Sequence, residues 1–314
     1  MNPLTLVYRA AVGARNHLYD RGTFARRRLS RPVISIGNIS MGGSGKTPLV
    51  ILLGRLLKER GIPFDVLSRG YGRDRQGTLV VDPNGSPHDF GDEPILIAKT
   101  LRCPVIVSED RYQAGVLAES RQKAELHLLD DGFQHRALAR DFDIVLLSPE
   151  DTQDQLLPFG RLREPISSLE RADAVVLTEQ LDARILPPGK AMWRVQRSLA
   201  ILATSFKNPV VFCGIARPQK FVAQLRRAGV EPAAEKFYRD HHRYTATDIR
   251  DLLELKHRSG ADGFVSTQKD AMNLGRNYAL LSPITFPPVR MELIAPPDAL
   301  DTMFRVIKER RSRA

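Results

Sequence analysis

Apolar and polar positions follow two rhythms along most of the chain. Short runs of aliphatic and β-branched residues, typical of buried strands, alternate with longer stretches in which apolar residues recur every three or four positions, as on one face of a helix. Strands are predicted at 32–36, 64–67, 104–107, 126–129, 144–147 and 174–177, and helices at 47–60, 93–101 and 111–121. This order predicts an α/β fold with a mostly parallel sheet covered by helices on both faces.

The rhythm stops between residues 182 and 204, a segment that contains Pro187, Pro188 and Gly189. It resumes with strands predicted at 210–213 and 263–266 and helices at 219–228, 246–257 and 298–310. We therefore expect a first domain at 32–185, a linker at 186–206 and a smaller α/β domain at 207–314.

The first 31 residues form a basic, amphipathic segment. They hold seven arginines against one acid, Asp20, and Leu4, Val7, Tyr8 and Ala11 fall on one helical stripe. Two interpretations stay open: a helix lying in a membrane interface, or a helix packed on the core with a solvated basic face. No segment approaches the roughly 20 apolar residues that a membrane-spanning helix needs.

Composition narrows the choice of partners. The 314 residues carry a net charge of +11, concentrated at the two ends of the chain, and this suggests an anionic surface as partner. Nucleic acid and acidic lipid both fit that charge. We expect no nucleic-acid partner, because no helix-turn-helix, zinc finger or aromatic-interleaved basic stretch is present. The two cysteines, Cys103 and Cys213, are far apart and predict neither a disulfide framework nor a zinc site.

The most specific motif is SMGGSGKT at 40–47, which follows a predicted strand and opens a predicted helix. Such a P-loop turns backbone N–H groups toward phosphate, while its Lys reaches the β/γ-phosphates and its Thr hydroxyl binds Mg²⁺. The predicted nucleotide-binding residues are Met41, Gly42, Gly43, Ser44, Gly45, Lys46 and Thr47. ATP is favoured over GTP, because the TQKD at 267–270 has its Lys one place late for a guanine-reading motif.

Acidic residues follow two predicted elements. Asp130 and Asp131 end an apolar strand in the manner of a Walker B motif, so at least one should reach Mg²⁺ with Thr47. Asp92 opens a predicted helix, where it could accept a proton from an attacking hydroxyl or merely cap the helix. On the residues alone, capping is the better interpretation of Asp92.

These segments occur in an order that resembles one family. GNI at 37–39, the P-loop, SRGYGR, GDEP, EDR, DDGFQH, GRLRE, DHH and TQKD are colinear with the motifs of the tetraacyldisaccharide 4′-kinases, from the N-terminus to about residue 275. The resemblance implies two Rossmann-like α/β/α domains, the first a P-loop NTPase, with an active site in the cleft between them. It also implies an N-terminal amphipathic helix at 1–31 that docks on a membrane.

The implied activity is ATP- and Mg²⁺-dependent transfer of the γ-phosphate to the 4′-hydroxyl of a membrane-embedded, acylated disaccharide 1-phosphate. The implied location is the cytoplasmic face of the bacterial inner membrane, at its anionic surface, with no obligate protein partner. The resemblance makes Asp92 the base and places a supporting histidine at His241 or His242. The other implied site residues are Arg111 and Arg163 for catalysis and Arg69, Tyr71, Gln134 and His135 for substrate binding. The alternative is a P-loop kinase or ATPase that acts on a soluble metabolite.

Overall fold

The structure, a computed structural model, describes residues 2–43, 45–178, 181–200 and 206–313. The strands in these residues are β1 (Val33–Asn38), β2 (Phe64–Ser68), β3 (Leu79–Val80), β4 (Val105–Val107), β5 (Leu126–Asp130), β6 (Phe142–Leu147), β7 (Ala174–Thr178), β8 (Ala191–Leu199), β9 (Val210–Cys213), β10 (Ala234–Phe237), β11 (Phe264–Val265), β12 (Ile284–Thr285) and β13 (Val289–Ala295). The α-helices are α1 (Pro3–Asp20), α2 (Lys46–Glu59), α3 (Pro87–Phe90), α4 (Asp92–Leu101), α5 (Arg111–Ser120), α6 (Pro218–Arg227), α7 (Ala246–Ser259), α8 (Gln268–Leu274) and α9 (Ala299–Ser312).

A nine-stranded sheet forms the larger layer, in the order β13-β8-β7-β6-β1-β5-β2-β4-β3. Strand β1 lies between β5 and β6 and is parallel to both, with Ile36 opposite Asp130. Every residue of β1, β2, β5 and β6 is buried, as expected when helices cover both faces of a parallel sheet. The predicted α/β class is confirmed. Because the central strands are parallel, Asn38 and Asp130 end at the same edge of the sheet.

Strand β8 lies inside the segment that was expected to be a linker. It pairs parallel with β7, and β13 pairs antiparallel with β8, so both strands belong to the nine-stranded sheet. Only Trp193 and Val195 are buried along β8, and polar residues alternate with them. A half-buried strand of this kind lacks the continuous apolar run of the central strands, which explains why the sequence pattern did not reveal it.

The C-terminal residues also differ from the expected division. Met303 and Ile307 of α9 pack in the core of the larger sheet, together with Met291 of β13. The smaller sheet contains four strands in the order β10-β9-β11-β12. Residues from 289 onward therefore return to the first layer instead of completing the second domain at 207–314.

Helix α8 faces the larger domain from the smaller one. Thr267 caps it, since the Thr267 hydroxyl accepts from the Asp270 backbone N–H. The Asp270 carboxylate is buried and accepts from the Gly214 backbone N–H and from the Tyr244 hydroxyl, each at 2.8 Å. Two residues of the TQKD segment thus fix α8 within its own domain. Lys269, between them, extends toward α4.

Helix α1 packs on the larger domain, and Tyr8 and Asn16 make hydrogen bonds to it. The Tyr8 hydroxyl donates to the Arg163 carbonyl at 3.0 Å, and Asn16 donates to the Glu164 carboxylate at 2.8 Å. In contrast, Leu4, Leu6 and Val7 are 59%, 48% and 67% exposed. Among the described residues, no helix is both long enough and apolar enough to cross a membrane.

Candidate active site

The P-loop connects β1 to α2 at the sheet edge. Gly42, Gly43 and Gly45 have φ values of +62°, +68° and +96°, which other residues rarely adopt. A Cβ on Gly42 would lie 2.9 Å from the Ala216 side chain, so the loop also approaches the smaller domain closely. The start of α2 has no side-chain cap, and its backbone N–H groups are suited to bind an anion.

Met41 and Ser44 were also predicted to bind the nucleotide. The Met41 backbone N–H donates to the Arg161 carbonyl at 2.8 Å, while its side chain is exposed. Ser44, which was predicted to bind nucleotide, lies outside the described residues. The loop is therefore held at Met41 by the segment that also carries Arg163.

Lys46 and Arg163 converge on one carboxylate. The Lys46 ammonium lies 3.2 Å from Asp131 Oδ1 and donates to Asn38 Oδ1 at 3.0 Å. Arg163 donates to both Asp131 oxygens, at 2.9 and 3.1 Å. Burial raises the pKa of Asp131, but the charges of Lys46 and Arg163 outweigh it and lower that pKa to about 2. Asp131 is thus firmly ionised beside the P-loop lysine.

The neighbouring Asp130 has a raised pKa, in contrast to Asp131. It is 2% exposed, and its Oδ2 accepts from the Ser68 hydroxyl at 2.9 Å. Its Oδ1 is buried with no hydrogen-bond partner in the part of the chain that the structure describes. Burial, followed by the charges of Glu93 and Asp131, raises the pKa of Asp130 to about 7. A buried carboxylate oxygen without a donor, beside a second carboxylate, fits the hard oxygen ligands that Mg²⁺ prefers.

The raised pKa of Asp130 predicts that, without Mg²⁺, the Asp130→Asn variant is more stable than the wild type by an amount that depends on pH. Because the pKa is about 7 in the folded protein and 3.8 ordinarily, the folded state binds more protons between these values, and stability falls as pH rises through them. The uncharged amide escapes this loss. We expect the melting temperature of Asp130→Asn to exceed that of the wild type, by more at about pH 8 than at about pH 5.

Asp131→Asn is the matched control, measured by the same thermal melts in a chelator. In the wild type the pKa of Asp131 is lowered, so the ionised Asp131 carboxylate stabilises the fold at pH values above its ordinary pKa. We therefore expect Asp131→Asn to melt below the wild type at both pH values. If the gain in melting temperature of Asp130→Asn does not grow with pH, ionisation of Asp130 is not what destabilises the fold.

Asp92 and His241 meet across the two domains. Asp92 is the first residue of α4, is 2% exposed, and accepts from His241 Nδ1 at 2.9 Å on Oδ2. Asn273 of α8 donates to the same oxygen at 2.9 Å, and the Glu93 backbone N–H donates to Oδ1 at 2.8 Å. His242 instead contacts Asp248, at 3.1 Å. Of the two histidines considered from the sequence, the structure brings His241 to the carboxylate.

Each partner changes the other's protonation. Burial raises the pKa of Asp92. The hydrogen bond from His241 and the charge of Lys269 lower that pKa by more than burial raises it, so the net shift is downward. Burial lowers the pKa of His241, but the hydrogen bond and charge of Asp92 bring it above the ordinary value. Asp92 is therefore an ionised carboxylate at neutral pH and can accept a proton.

Lys269 connects this pair to two further carboxylates, those of Glu93 and Asp240. Its ammonium lies 3.2 Å from Glu93 Oε1, 3.1 Å from Asp240 Oδ1 and 3.1 Å from His241 Nε2. Burial lowers the pKa of Lys269, but the three surrounding carboxylates, Glu93 first, raise it overall. The sequence patterns did not identify Lys269 or Asn273 as site residues. The TQKD segment was the available signal, but it served only to favour ATP over GTP and to support the family resemblance.

The remaining predicted arginines differ in burial. Arg111 is 8% exposed, donates to the Glu109 carbonyl at 2.9 Å, and has a buried Nε without a partner among the described residues. Burial and the nearby charge of Arg69 lower the pKa of Arg111, while Asp131 and Asp130 oppose this shift. Arg69 itself is exposed. Arg111 thus lies near the carboxylate pair, and Arg69 lies at the surface beyond it.

The predicted substrate residues surround the same region. Gln134 donates to the Asn38 carbonyl at 2.8 Å, and the His135 Nε2 is buried without a partner among the described residues. Burial, followed by the charge of Arg111, lowers the pKa of His135 to about 4, so this imidazole is neutral at pH 7. Tyr71 is 63% exposed, with its ring 5.0 Å from that of His241.

A cleft of about 450 Å³ opens beside Asp92 and His241, between the two domains. Its lining includes Tyr71, His88, Asp92, His241, Arg243 and Asn273. Arg243 donates to both Asp74 oxygens, at 2.8 and 3.0 Å, and ties the glycine-rich loop after β2 to the smaller domain. The cleft can therefore hold a polar molecule next to an ionised carboxylate.

Comparisons with known proteins all point to one family. Residues 1–308 match the family model described as LpxK, tetraacyldisaccharide-1-P 4′-kinase. A tetraacyldisaccharide 4′-kinase of Koribacter versatilis is 48% identical, over 99% of this chain and 100% of the relative, and one of Aquifex aeolicus is 39% identical, over 81% and 89%. The crystal structure of LpxK from Aquifex aeolicus in complex with ATP superposes with a TM-score of 0.78 at 32% identity, covering 97% of each chain.

Proposed function

This chain belongs to the tetraacyldisaccharide 4′-kinase family, and we propose that its active site is the cleft in which Asp92 meets His241. The enzyme transfers the γ-phosphate of ATP to the 4′-hydroxyl of tetraacyldisaccharide 1-phosphate, giving lipid IVA in lipid A biosynthesis. The observation that carries the proposed site is the 2.9 Å contact between the buried Asp92 carboxylate and His241, next to the P-loop domain.

ATP would occupy the P-loop. The backbone N–H groups of the loop and of the start of α2 face the anion, and Lys46 balances the β- and γ-phosphate charge. Thr47, Asp130 and Asp131 would hold the Mg²⁺ that accompanies the nucleotide. When bound, this ion neutralises charge on the phosphate oxygens. The unpartnered Asp130 Oδ1 supports this assignment.

Phosphoryl transfer needs the acceptor hydroxyl to lose its proton as its oxygen bonds to phosphorus. In the proposed reaction Asp92 accepts that proton, the bond between the γ-phosphorus and its bridging oxygen breaks, and ADP leaves with the electron pair. The transition state is loose, so the proton leaves late and a carboxylate with a low pKa suffices as base. Arg163 and Arg111, which lie near the carboxylate pair, would stabilise charge on the transferring group.

The sugar of the acceptor would enter the cleft beside Asp92. Tyr71 lines it, next to His241, and a tyrosine ring is a suitable surface for a sugar face. We propose Arg69, Gln134 and His135 as further contacts for the acceptor or its phosphate. All three follow strands, β2 or β5, that end at the sheet edge carrying the P-loop.

The proposal is tested by measuring ADP release with different acceptors. We expect release to require the disaccharide 1-phosphate, supplied in detergent, and to be absent with an analogue that lacks the 4′-hydroxyl. Stimulation by a soluble sugar or other small metabolite, without the lipid, would favour the alternative of a soluble-metabolite kinase.

We also propose that α1 docks on an anionic membrane at the cytoplasmic face of the inner membrane. Tyr8 and Asn16 contact the larger domain, while Leu4, Leu6 and Val7 remain exposed. Exposed apolar side chains beside basic residues suit an interfacial helix, and each arginine near an anionic leaflet contributes about 1 kcal/mol. The acceptor carries acyl chains, so the enzyme must reach it in the bilayer.

We expect the combined variant Leu4→Ser, Leu6→Ser, Val7→Ser to bind anionic phospholipid vesicles at least about tenfold more weakly than the wild type. The reason is that burial of each such side chain contributes about 1.5–3 kcal/mol. Vesicle sedimentation measures binding, and ADP release with detergent-solubilised acceptor should be unchanged.

Leu253→Ser is the control, because Leu253 is 40% exposed on α7 of the other domain. Substitutions test the helix more cleanly than deletion of residues 1–29, which would also remove the buried core residue Leu29. Undiminished sedimentation of the combined variant would exclude docking through this face.

A further inference from the structure

We propose that Arg197, on strand β8, is a nucleotide-binding residue that contacts the α- or β-phosphate of ATP at the P-loop. The inference rests on the proposed binding of ATP at the P-loop and adds a cation from a strand outside that motif. No motif of the sequence includes Arg197, because β8 lies in the segment that was expected to be a linker.

Strand β8 brings Arg197 to the face of the sheet that α2 covers. Side chains alternate along a strand, and Trp193 and Val195 pack in the same core as Leu49 of α2. Arg197 continues this series near the end of β8. Strand β8 is parallel to β7, which is parallel to β6, and β6 is parallel to β1. The carboxyl end of β8 therefore lies at the sheet edge that carries the P-loop.

Arg197 lies close to the P-loop glycine that precedes Lys46. A Cβ on Gly45 would lie 3.8 Å from Arg197 Nη1. Two apolar atoms lie slightly closer to the same point, Leu146 Cδ2 at 3.5 Å and Met291 Cε at 3.7 Å. The backbone of a P-loop cradles the α- and β-phosphates, whereas its lysine reaches the β- and γ-phosphates. A guanidinium beside Gly45 is therefore suited to the α- or β-phosphate.

The Arg197 guanidinium has no anionic partner in the part of the chain that the structure describes. Its Nε is buried and makes no hydrogen bond there. Burial and the like charge of Arg217 both lower the pKa of Arg197, and no carboxylate opposes this shift. A largely buried cation without a counterion destabilises a fold, and a bound phosphate would offset that cost.

Arg217, from the smaller domain, also contacts the loop but has partners of its own. Its Cγ lies 3.0 Å from the position of a Cβ on Gly43. Its guanidinium donates to Glu150 at 2.9 Å and to the Ser148 hydroxyl at 3.2 Å. The charge of Arg217 is thus balanced within the protein, whereas that of Arg197 is available to a phosphate.

The contact should affect affinity more than turnover. ADP keeps both the α- and the β-phosphate, so Arg197 would hold them before, during and after transfer. Interactions that are equally strong in the ground state and the transition state lower KM without raising kcat. For Arg197→Met we expect KM for ATP to rise about tenfold or more and kcat to fall less than about threefold. Lys46→Ala should instead lose kcat.

Binding of ADP with Mg²⁺ tests the contact without turnover. Isothermal titration calorimetry on the full-length enzyme, in a buffer without phosphate or sulfate, should give a Kd for Arg197→Met about tenfold or more above that of the wild type. Arg197→Lys, which keeps the charge but not the planar fork, should recover part of the affinity. Arg194→Met is the matched control, because Arg194 lies on the same strand but on its opposite face. It should bind ADP as the wild type does.

Two further measurements separate a phosphate contact from other roles. Tripolyphosphate has phosphates but no base, so Arg197→Met should weaken its competition with ADP as well; a loss confined to ADP would overturn the phosphate assignment. Without nucleotide, Arg197→Met should melt at or above the wild-type temperature, because the substitution removes an unpaired charge. A lower melting temperature with unchanged ADP affinity would make Arg197 a structural residue.

A Kd for ADP in Arg197→Met within about twofold of the wild-type value would overturn the inference and leave the P-loop assignment intact. Failure of the wild type itself to bind ADP would instead reject the P-loop as the nucleotide site, and this inference with it. If Arg197→Met does not fold, Arg197→Gln, which keeps a polar end without the charge, carries the same expectation.

Discussion

Replacement of Asp92 by asparagine should lower kcat by about 10²–10⁴-fold and change KM for ATP far less. The amide keeps the shape of the side chain and an acceptor for His241, but it cannot take the hydroxyl proton. Nucleotide binding depends on the P-loop, whereas Asp92 lies on another element, at the start of α4. Steady-state kinetics at saturating acceptor, with thermal melts in parallel, separate the two quantities.

The competing interpretation is that Asp92 only stabilises the start of α4, where it accepts from the Glu93 backbone N–H. In that case the substitution would cost about 0.5–2 kcal/mol of stability and leave kcat nearly intact. Asp248→Asn is the matched control, because Asp248 belongs to the capping box of α7. It should lower the melting temperature without a comparable loss of kcat.

Lys46→Ala and Thr47→Ala should each reduce turnover by at least about 10²-fold with the fold retained. Lys46 is the cation available to the β- and γ-phosphates, and loss of one preorganised group that stabilises transition-state charge commonly costs about 10²–10³ in kcat. Thr47 is proposed to hold Mg²⁺, so its loss should also raise the Mg²⁺ concentration needed for half-maximal rate. ADP release and circular dichroism provide the measurements.

Lys58→Ala controls for the loss of a lysine from the same helix, since Lys58 is exposed near the end of α2. It should retain the wild-type rate. Normal turnover in Lys46→Ala or Thr47→Ala, with native circular dichroism, would remove the P-loop from the mechanism.

Local patterns in the sequence were enough for the central strands and the P-loop. Buried parallel strands such as β1 and β5 are continuous apolar runs, and the P-loop is a contiguous motif between a strand and a helix. Strand β8 was missed because only one of its faces is buried. The return of β13 and α9 to the first sheet depends on long-range pairing, which composition and periodicity do not encode.

Some residues of the candidate site could likewise be predicted from local sequence and others could not. Asp130 and Asp131 could be predicted, because they stand together at the end of an apolar strand pattern. The choice between His241 and His242 required the three-dimensional contact, because the two residues are adjacent and chemically identical. Asn273 reaches Asp92, and Lys269 reaches Glu93, only when the domains meet, so no local spacing identifies them.

Helix α1 combines features of both interpretations that its sequence left open. Tyr8 packs on the segment that carries Arg163, whereas Leu4, Leu6 and Val7 are exposed. A stripe of apolar positions predicts that one face is covered, but does not specify whether protein or lipid covers it.

Transfer of label from γ-³²P-ATP to tetraacyldisaccharide 1-phosphate, followed by lipid extraction and location of the label on the disaccharide, tests the proposed reaction and its base together. We expect the label to enter the lipid phase at the 4′ position with the wild type, and Asp92→Asn to transfer about 10²–10⁴-fold less of it per unit time. Label that remains in the aqueous phase, or transfer by Asp92→Asn at the wild-type rate, would contradict this proposal.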